Sequence, residues 1–266
     1  MVSFEYRGKK TGMLFGVSRL VLQWRDSNPG IDISFLWEGR DSWRKRAHSI
    51  YKANRKGDYN SDDRDEFFDC VERVRDALPS MGVRQIVADS YEADDLAYSL
   101  SMDTGLKTIF VSTDWDWWAL SRRGDILYNN DIMSFDDLQR KFVRKYGSRE
   151  IDFEKLWIFK VLTGDPSDNI SGVPRFPKKL AVDVANGVED VTYAASFLRQ
   201  NGNEAWAKKV EAYNWLISRN TDLILPCFVS PDAMDVIEGC FDRDKVGEIL
   251  LKSGIDSLYD RYIGES

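Results

Sequence analysis

The stretch IVADSYEADDLAYSL, residues 86–100, reads as a β-strand that runs straight into an acidic helix start. Ile86, Val87 and Ala88 close the apolar run of VRQIVADS (83–90). The chain then places Asp89, Glu92, Asp94 and Asp95 in quick succession. Carboxylates this close repel one another unless positive charge lies between them. An acidic first turn also suits the positive end of a helix dipole, so EADDLAYSLSMDTG (92–105) is expected to be a helix.

The same alternation extends outward. GMLFGVSRLVLQW (12–24) has apolar residues at helical spacing. IDISFLWEG (31–39) alternates between Pro29-Gly30 and Gly39 and reads as a strand. WRKRAHSIYKANRK (43–56) reads as a basic helix followed by a polar loop. DEFFDCVERVRDALPSMG (65–82) reads as a helix with Asp62 or Asp63 as N-cap and Gly82 beyond its end. LKTIFVST is the next strand, DWDWWALSR a short helix, and DILYNN a further strand. Strands alternating with helices predict an α/β fold, with a mostly parallel central sheet covered on both faces. From Phe135 onward the chain reads as helical, interrupted by the turn-rich loop GDPSDNISGVPRFP (164–177). A domain boundary is expected near residues 150 to 165.

Composition narrows the chemistry. The 266 residues allow a well-buried core. No apolar stretch approaches the roughly 20 residues that span a bilayer, and the N-terminus lacks the apolar core of a secretory signal. Three widely spaced cysteines make a disulfide framework unlikely and a cytosolic compartment the expectation. His48 is the one histidine, which disfavours a His-containing zinc site. Carboxylates and basic side chains must therefore do most of any chemistry. The net charge of −7 argues against a protein that coats DNA uniformly, but the charge is segregated. Arg40, Arg44, Lys45, Arg46, Lys52, Arg55 and Lys56 stand against Asp41 alone, and an acidic run follows to Asp76. A local basic patch is the relevant footprint of nucleic-acid binding.

In open α/β sheets, sites form beyond the carboxyl ends of the strands. The first strand ends at Glu38, the second at Glu92, Asp94 and Asp95, and the third at Asp114 and Asp116. The turn-rich loop adds Asp165 and Asp168. Each group alone has a structural explanation, as a helix cap or as turn chemistry. Together they describe a hard-cation site of oxygen ligands. Two divalent ions about 4 Å apart clamp the attacking and leaving oxygens of a phosphodiester, and the basic stretch would hold the phosphate backbone.

YEADDLAYSL, STDWDWWAL, TGDPSDNISGVP and YKANRK resemble, in order and spacing, the motifs of the 5′ nuclease family. That family comprises bacteriophage 5′–3′ exonucleases, the 5′ nuclease domain of bacterial DNA polymerase I, and flap endonucleases. The resemblance runs from about Thr11 to about Asn201. It implies a PIN-like α/β core over residues 1–160 with a basic helical arch at about 40–80. It also implies a helical module with a helix–three-turn–helix hairpin over 161–266. It implies a metal-dependent 5′–3′ exonuclease or flap endonuclease using Mg²⁺ or Mn²⁺, two ions, with K⁺ at the hairpin. Glu92 and Asp94 would bind the first metal. Asp95, Asp114, Asp116, Asp165 and Asp168 would form or support the second site. Lys52 and Arg44 would act on the scissile phosphate. Tyr51, Arg55, Lys56, Arg175, Lys178 and Lys179 would contact DNA. The partners implied are DNA with a 5′ single-stranded end, flap or nick, and replication proteins. The compact loops resemble the bacteriophage form, which implies the cytoplasm of an infected bacterium and no membrane.

Three departures stand out. The family begins with a strand ending in Asp-Gly ahead of the first helix, and SFEYRGKK contains no aspartate. The expectation is a natural product that starts upstream of Met1. Glu38 in LWEG stands where the family has Asp. Arg175 and Pro177 replace hairpin glycines, and Pro177 offers no N–H. Two other readings follow from the residues. One is a catalytically impaired, structure-specific DNA-binding protein. The other is a phosphatase built on the DxD of STDWDWW, which leaves Glu92, Asp94 and Asp95 unexplained.

Overall fold

The computed structural model describes residues 4–55, 61–102, 107–128 and 131–264. In chain order these form β1 (Glu5–Tyr6), β2 (Lys9–Lys10), α1 (Gly12–Ser27), β3 (Ile33–Trp37), α2 (Trp43–Ala47), α3 (Ser61–Ala77), β4 (Val83–Val87), α4 (Ala93–Leu100) and β5 (Ile109–Val111). They continue with β6 (Asp125–Tyr128), β7 (Asp131–Met133), α5 (Phe135–Tyr146), α6 (Leu156–Thr163), β8 (Gly164–Asp165), β9 (Ile170–Ser171), α7 (Lys178–Gly187), α8 (Ala194–Gln200), α9 (Glu204–Ala212) and α10 (Asn214–Ile224). β10 (Asp235–Ile237), α11 (Arg243–Lys252) and α12 (Asp256–Tyr262) complete the chain. Two compact units share these elements. One comprises Met1–Glu38, Gly57–Ala88 and Pro231–Ser266, and the other Gly39–Lys56 and Asp89–Ser230.

In the first unit β4 is the central strand. β3 lies parallel to it, with Ile33 opposite Val83 and Trp37 opposite Val87. β10 lies antiparallel on its other side, with Asp235 opposite Val87. Leu14, Val21 and Leu22 of α1 meet Val74 of α3 and Leu78, Met81 and Val83, a core completed by Val246, Leu250 and Leu258 from α11 and α12. The segment after Pro231 carries no chemical motif, yet it supplies a sheet edge and part of this core. The N-terminal hairpin β1–β2 turns through Arg7 and Gly8, both at positive φ (52° and 75°). That is the backbone a two-residue hairpin needs to match strand twist.

In the second unit β5 runs parallel to β6, and β7 pairs antiparallel with β6. Behind them Phe142, Phe153 and Phe159 pack edge to face, with centroids 5.5 and 6.0 Å from Phe142. Trp118 joins them at 3% exposure. The mixed α/β architecture matches the sequence reading, but the single mostly parallel sheet does not. Among the described residues there are two three-stranded sheets, each with one parallel and one antiparallel pair. The antiparallel partners, DIM (131–133) and DVI (235–237), are too short for periodicity to reveal. The basic helix expected over 43–56 shortens to α2 and a 3₁₀ turn at Ala53–Arg55. Between them Lys52 takes φ 54°, which no helix tolerates.

The β8–β9 hairpin carries the acidic loop. Asp165 pairs with Ile170 across it. Gly164 sits at φ 80°, and a Cβ on Gly172 would lie 2.2 Å from the Thr163 carbonyl carbon. Backbone cannot yield there as a side chain can. Gly172→Ala is therefore expected to destabilise the protein by at least about 2 kcal/mol, read as a lower urea midpoint. An unchanged midpoint would show that the hairpin relaxes freely.

Candidate active site

The candidate acidic positions from Glu92 to Asp168 lie in the second unit. Glu92 caps α4 in extended backbone. Asp95, one turn in, reaches back to accept the Glu92 N–H at 3.1 Å. The capping is a local consequence of the EADD sequence. It leaves Asp94 on the open side and turns Asp95 inward, where it is fully buried.

A buried carboxylate needs a partner. Asp95 has Arg44, whose Nη1 and Nη2 donate to its two oxygens at 2.6 and 2.8 Å. The Cys227 N–H donates to Asp95 as well, at 2.8 Å. Arg44 is itself 2% exposed. Its Nη2 also donates to the Leu225 carbonyl at 2.9 Å, and its Nη1 lies 3.6 Å from Glu92. Burial works against this charge, but Asp95 and Glu92 more than offset it and raise the Arg44 pKa.

Glu92 gathers the basic segment. The Tyr51 hydroxyl donates to it at 2.7 Å and lies 3.3 Å from Asp168. Lys52 Nζ donates to its other oxygen at 2.8 Å. Burial, with the Glu92 and Asp168 charges, pushes the Tyr51 phenol well up, so it stays a proton donor. The left-handed backbone of Lys52 is held by its N–H on the Asp168 carbonyl at 2.9 Å. Strain of this kind persists only where surroundings impose it. Arg55 pairs with Asp168.

The third strand end contributes Asp114 and Asp116. Asp114, exposed, accepts the Asp116 N–H at 3.1 Å and caps the 3₁₀ turn Trp115–Leu120. Asp116 points to Lys160 of α6, which also contacts Asp165 Oδ2 at 2.5 Å. The Lys160 ammonium, on a residue 3% exposed, lies 4.7 Å from the Trp115 ring. Burial and the neighbouring Asp114 and Asp165 charges push the Asp116 carboxyl up to about 6, against the pull of Lys160. Asp165 goes the other way. Burial opposes its charge, but Lys160 and the Ser167 N–H and hydroxyl hold it below the usual range.

Six carboxylates, Glu92, Asp94, Asp95, Asp116, Asp165 and Asp168, line one pocket of about 30 Å³ with Arg44, Tyr51 and Lys160. The donor chemistry fits hard divalent cations. The resting geometry is not that of a finished cage. Among the described residues no three carboxylate, thiol or imidazole groups stand ready to hold one ion. The ammonium of Lys160 fills the space between Asp116 and Asp165.

The structure brings the acidic segments named from the sequence, 92–95, 116 and 165–168, to one pocket, together with two residues that the sequence reading did not name as site residues. Lys160 is the single cation in the apolar run LWIFKVLT (156–163), a pattern that does not say where its ammonium goes. Trp117, whose indole N–H donates to Asp94 at 2.5 Å, had no signal separating it from Trp115 and Trp118. Two expected roles change. Arg44 is not free to meet a phosphate, because its guanidinium is committed to Asp95 and Leu225. Asp95 lines the pocket with both oxygens engaged by Arg44 and by the Glu92 and Cys227 N–H groups. Glu38 follows β3 in the first unit. Arg175, Lys178 and Lys179 are exposed at the start of α7. Arg175 takes φ 59°, the backbone expected of a glycine there. Lys56 lies outside the described residues.

The model of the 5′-3′ exonuclease N-terminal resolvase-like domain matches residues 3–147, and the chain belongs to that family. The DNA polymerase I of Mycobacterium tuberculosis is 29% identical over 191 residues, 67% of this chain and 20% of that protein. The 5′-3′ exonuclease of Buchnera aphidicola is 26% identical over 192 residues, 69% of this chain and 63% of that one. The chain thus spans about a fifth of the length of the polymerase relatives it matches. The zinc-bound 5′-exonuclease of bacteriophage T5 aligns over 94% of this chain and 91% of its own, with a TM-score of 0.63 at 20% identity. The T5 flap endonuclease in complex with DNA and metal ions aligns with a TM-score of 0.59 over 94% of this chain and 88% of its own, also at 20% identity. These two likenesses concern the fold.

Proposed function

We propose that the chain is a structure-specific 5′ nuclease, acting on DNA with a 5′ end, flap or nick through Mg²⁺ or Mn²⁺. The observation that carries this reading is the convergence of carboxylates from residues 92–95, 116 and 165–168 on one pocket with Lys52, Arg55 and Lys160 at its edges. Glu92, Asp94, Asp116, Asp165 and Asp168 would hold two ions, with Asp114 at the rim. Bound there, the ions would supply Lewis acidity and an ionised water for phosphodiester hydrolysis.

The chain's own residues do the rest. Asp95 and Arg44 fix the start of α4 and so the aim of Glu92 and Asp94. Tyr51 and Lys52 present a hydroxyl donor and an ammonium to the phosphate that enters beside Glu92. Both can stabilise charge on the transferring group. Lys160, released from Asp116 and Asp165, becomes a further cation at that edge. Arg55 and Lys56 lead the 5′ strand in, as part of the arch. Arg175, Lys178 and Lys179 hold duplex phosphates, and K⁺ is the ion that turn would take. The functional division would fall after residue 168, with the catalytic part before it and the helices from Lys178 to Ile224 gripping DNA. Replication proteins are the partners such an enzyme would meet, in the cytoplasm of an infected bacterium. No helix among the described residues is long and apolar enough to cross a membrane.

The test is the purified chain on a 5′-flap duplex. Mg²⁺-dependent product, abolished by EDTA and lowered at least about 100-fold by Lys52→Ala, is expected. Salt-sensitive binding of the flap with no product under any divalent ion would favour the impaired DNA-binding reading.

Ion binding should also release protons. With its pKa near 6, the Asp116 carboxyl is half protonated at that pH in the ion-free protein, and ligation requires the carboxylate. Titration with Mn²⁺ in buffers of different ionisation enthalpy should show release of about half a proton from this group near pH 6 and almost none at pH 8. Equal release at both would remove Asp116 from the ligands.

A further inference from the structure

A second, larger pocket opens beside the carboxylates. It measures about 320 Å³ and shares Asp94, Asp116, Lys160, Ile224 and Pro226 with the first. Its other walls are mostly apolar: Tyr98 of α4, Trp117 and Leu120 of the 3₁₀ turn, and Leu156 and Trp157 of α6. The two pockets differ in kind. The smaller one suits ions and water, while the larger is at the low end of the range for small-molecule sites, roughly 300–1,000 Å³. That is room for one flat ring system.

We propose that this pocket receives the unpaired base of a nucleotide adjoining the scissile phosphate. The assignment rests on the nuclease reading above, since that reading puts a phosphodiester at Asp94 and Asp116. A group tethered to that phosphodiester is then the natural occupant of a pocket with the same two residues in its wall. Three aromatic side chains, Tyr98, Trp117 and Trp157, offer ring surface, and every base has a π-face to match. Trp117 ties the two pockets together, because its N–H is spent on Asp94. The lining includes no Asn, Gln, Ser or Thr side chain that could read a base edge. Lys155 is engaged by Glu189, and the Arg123 guanidinium lies 5.4 Å from the Tyr98 ring centroid, stacked on it rather than held by a carboxylate. Glu154 and Arg123 also line the pocket, and stacking is the contact it offers to every base alike.

The test uses 5′-flap duplexes with an abasic site, or with 2-aminopurine, at each of the two nucleotides flanking the scissile phosphate. For the wild type, one abasic position should lower affinity and cleavage about 10-fold, the weight of one stacked base. 2-Aminopurine at the same position should be quenched on binding in Ca²⁺. Trp157→Ala should abolish both the quenching and the distinction between base and abasic DNA, and far-ultraviolet circular dichroism reports whether that variant is folded. The abasic series on the wild type stands alone if it is not. A wild type that cuts the flap normally but treats base and abasic substrates alike, at both positions, overturns the pocket assignment and leaves the nuclease reading intact. A wild type that neither binds nor cuts any of these duplexes overturns both.

Discussion

Asp165→Asn should lower Mg²⁺-dependent cleavage of a 5′-flap duplex by at least about 1,000-fold. Asp165 is firmly held in the pocket. It is buried at 6% exposure, held by the Ser167 N–H at 3.0 Å, and aimed at Lys160 by the β8–β9 hairpin. The amide keeps the shape and removes the charge that an ion requires. Losing such an electrostatic group costs roughly 10²–10³ in rate even when it is a single donor, and an ion ligand is worth more. Folding should suffer far less. The Asn oxygen still accepts from Lys160, and Asp116 still neutralises it, so the ion-free protein should lose only about 1–2 kcal/mol. The measurement is single-turnover cleavage alongside thermal unfolding in EDTA. Cleavage within 10-fold of the wild type would take Asp165 out of the site.

Arg44→Met should do the opposite, with its first effect on stability. The substitution leaves Asp95 buried with two N–H donors and no cation. Removing one partner of a buried pair costs roughly 3–5 kcal/mol, because the remaining charge is stranded. In a chain of this size that is a fall in the unfolding midpoint on the order of 10 °C. Arg44→Lys should not restore it, since one ammonium cannot replace the two-pronged contact at 2.6 and 2.8 Å or reach the Leu225 carbonyl as well. The double variant Arg44→Met/Asp95→Asn should recover much of the loss by removing the stranded charge. If Arg44 instead met the phosphate, as its place in the basic run first indicates, stability would hold and only cleavage would fall.

These two residues also mark where sequence reasoning stopped. Asp165 was legible because its chemistry is carried by neighbours in the chain. GDPSDN is turn-forming, acidic and solvent-seeking, and local rules place it at a surface loop near the strand ends. The acidic start of α4 was legible for the same reason, as were α1, α5 and the β4–α4 succession. Arg44 was not. Its environment is set by Asp95, Leu225 and Cys227, which are distant in sequence, and a basic run gives no sign of which member turns inward. Lys160 was missed because one lysine in an apolar helix has the same local pattern whether it snorkels to water or spans two aspartates.

The sequence by itself determined the α/β class and the main helix and strand succession from α1 to α4, which follow from periodicity and capping chemistry, and, through the resemblance carried by four motifs, the family. Only the tertiary structure decided which acidic groups face a common pocket and which are consumed by buried partners. It also decided that the C-terminal segment completes the first unit's sheet and core. The physical reason is burial. Whether a carboxylate is an ion ligand or half of an internal ion pair depends on the groups packed against it, and those come from parts of the chain that no local pattern connects.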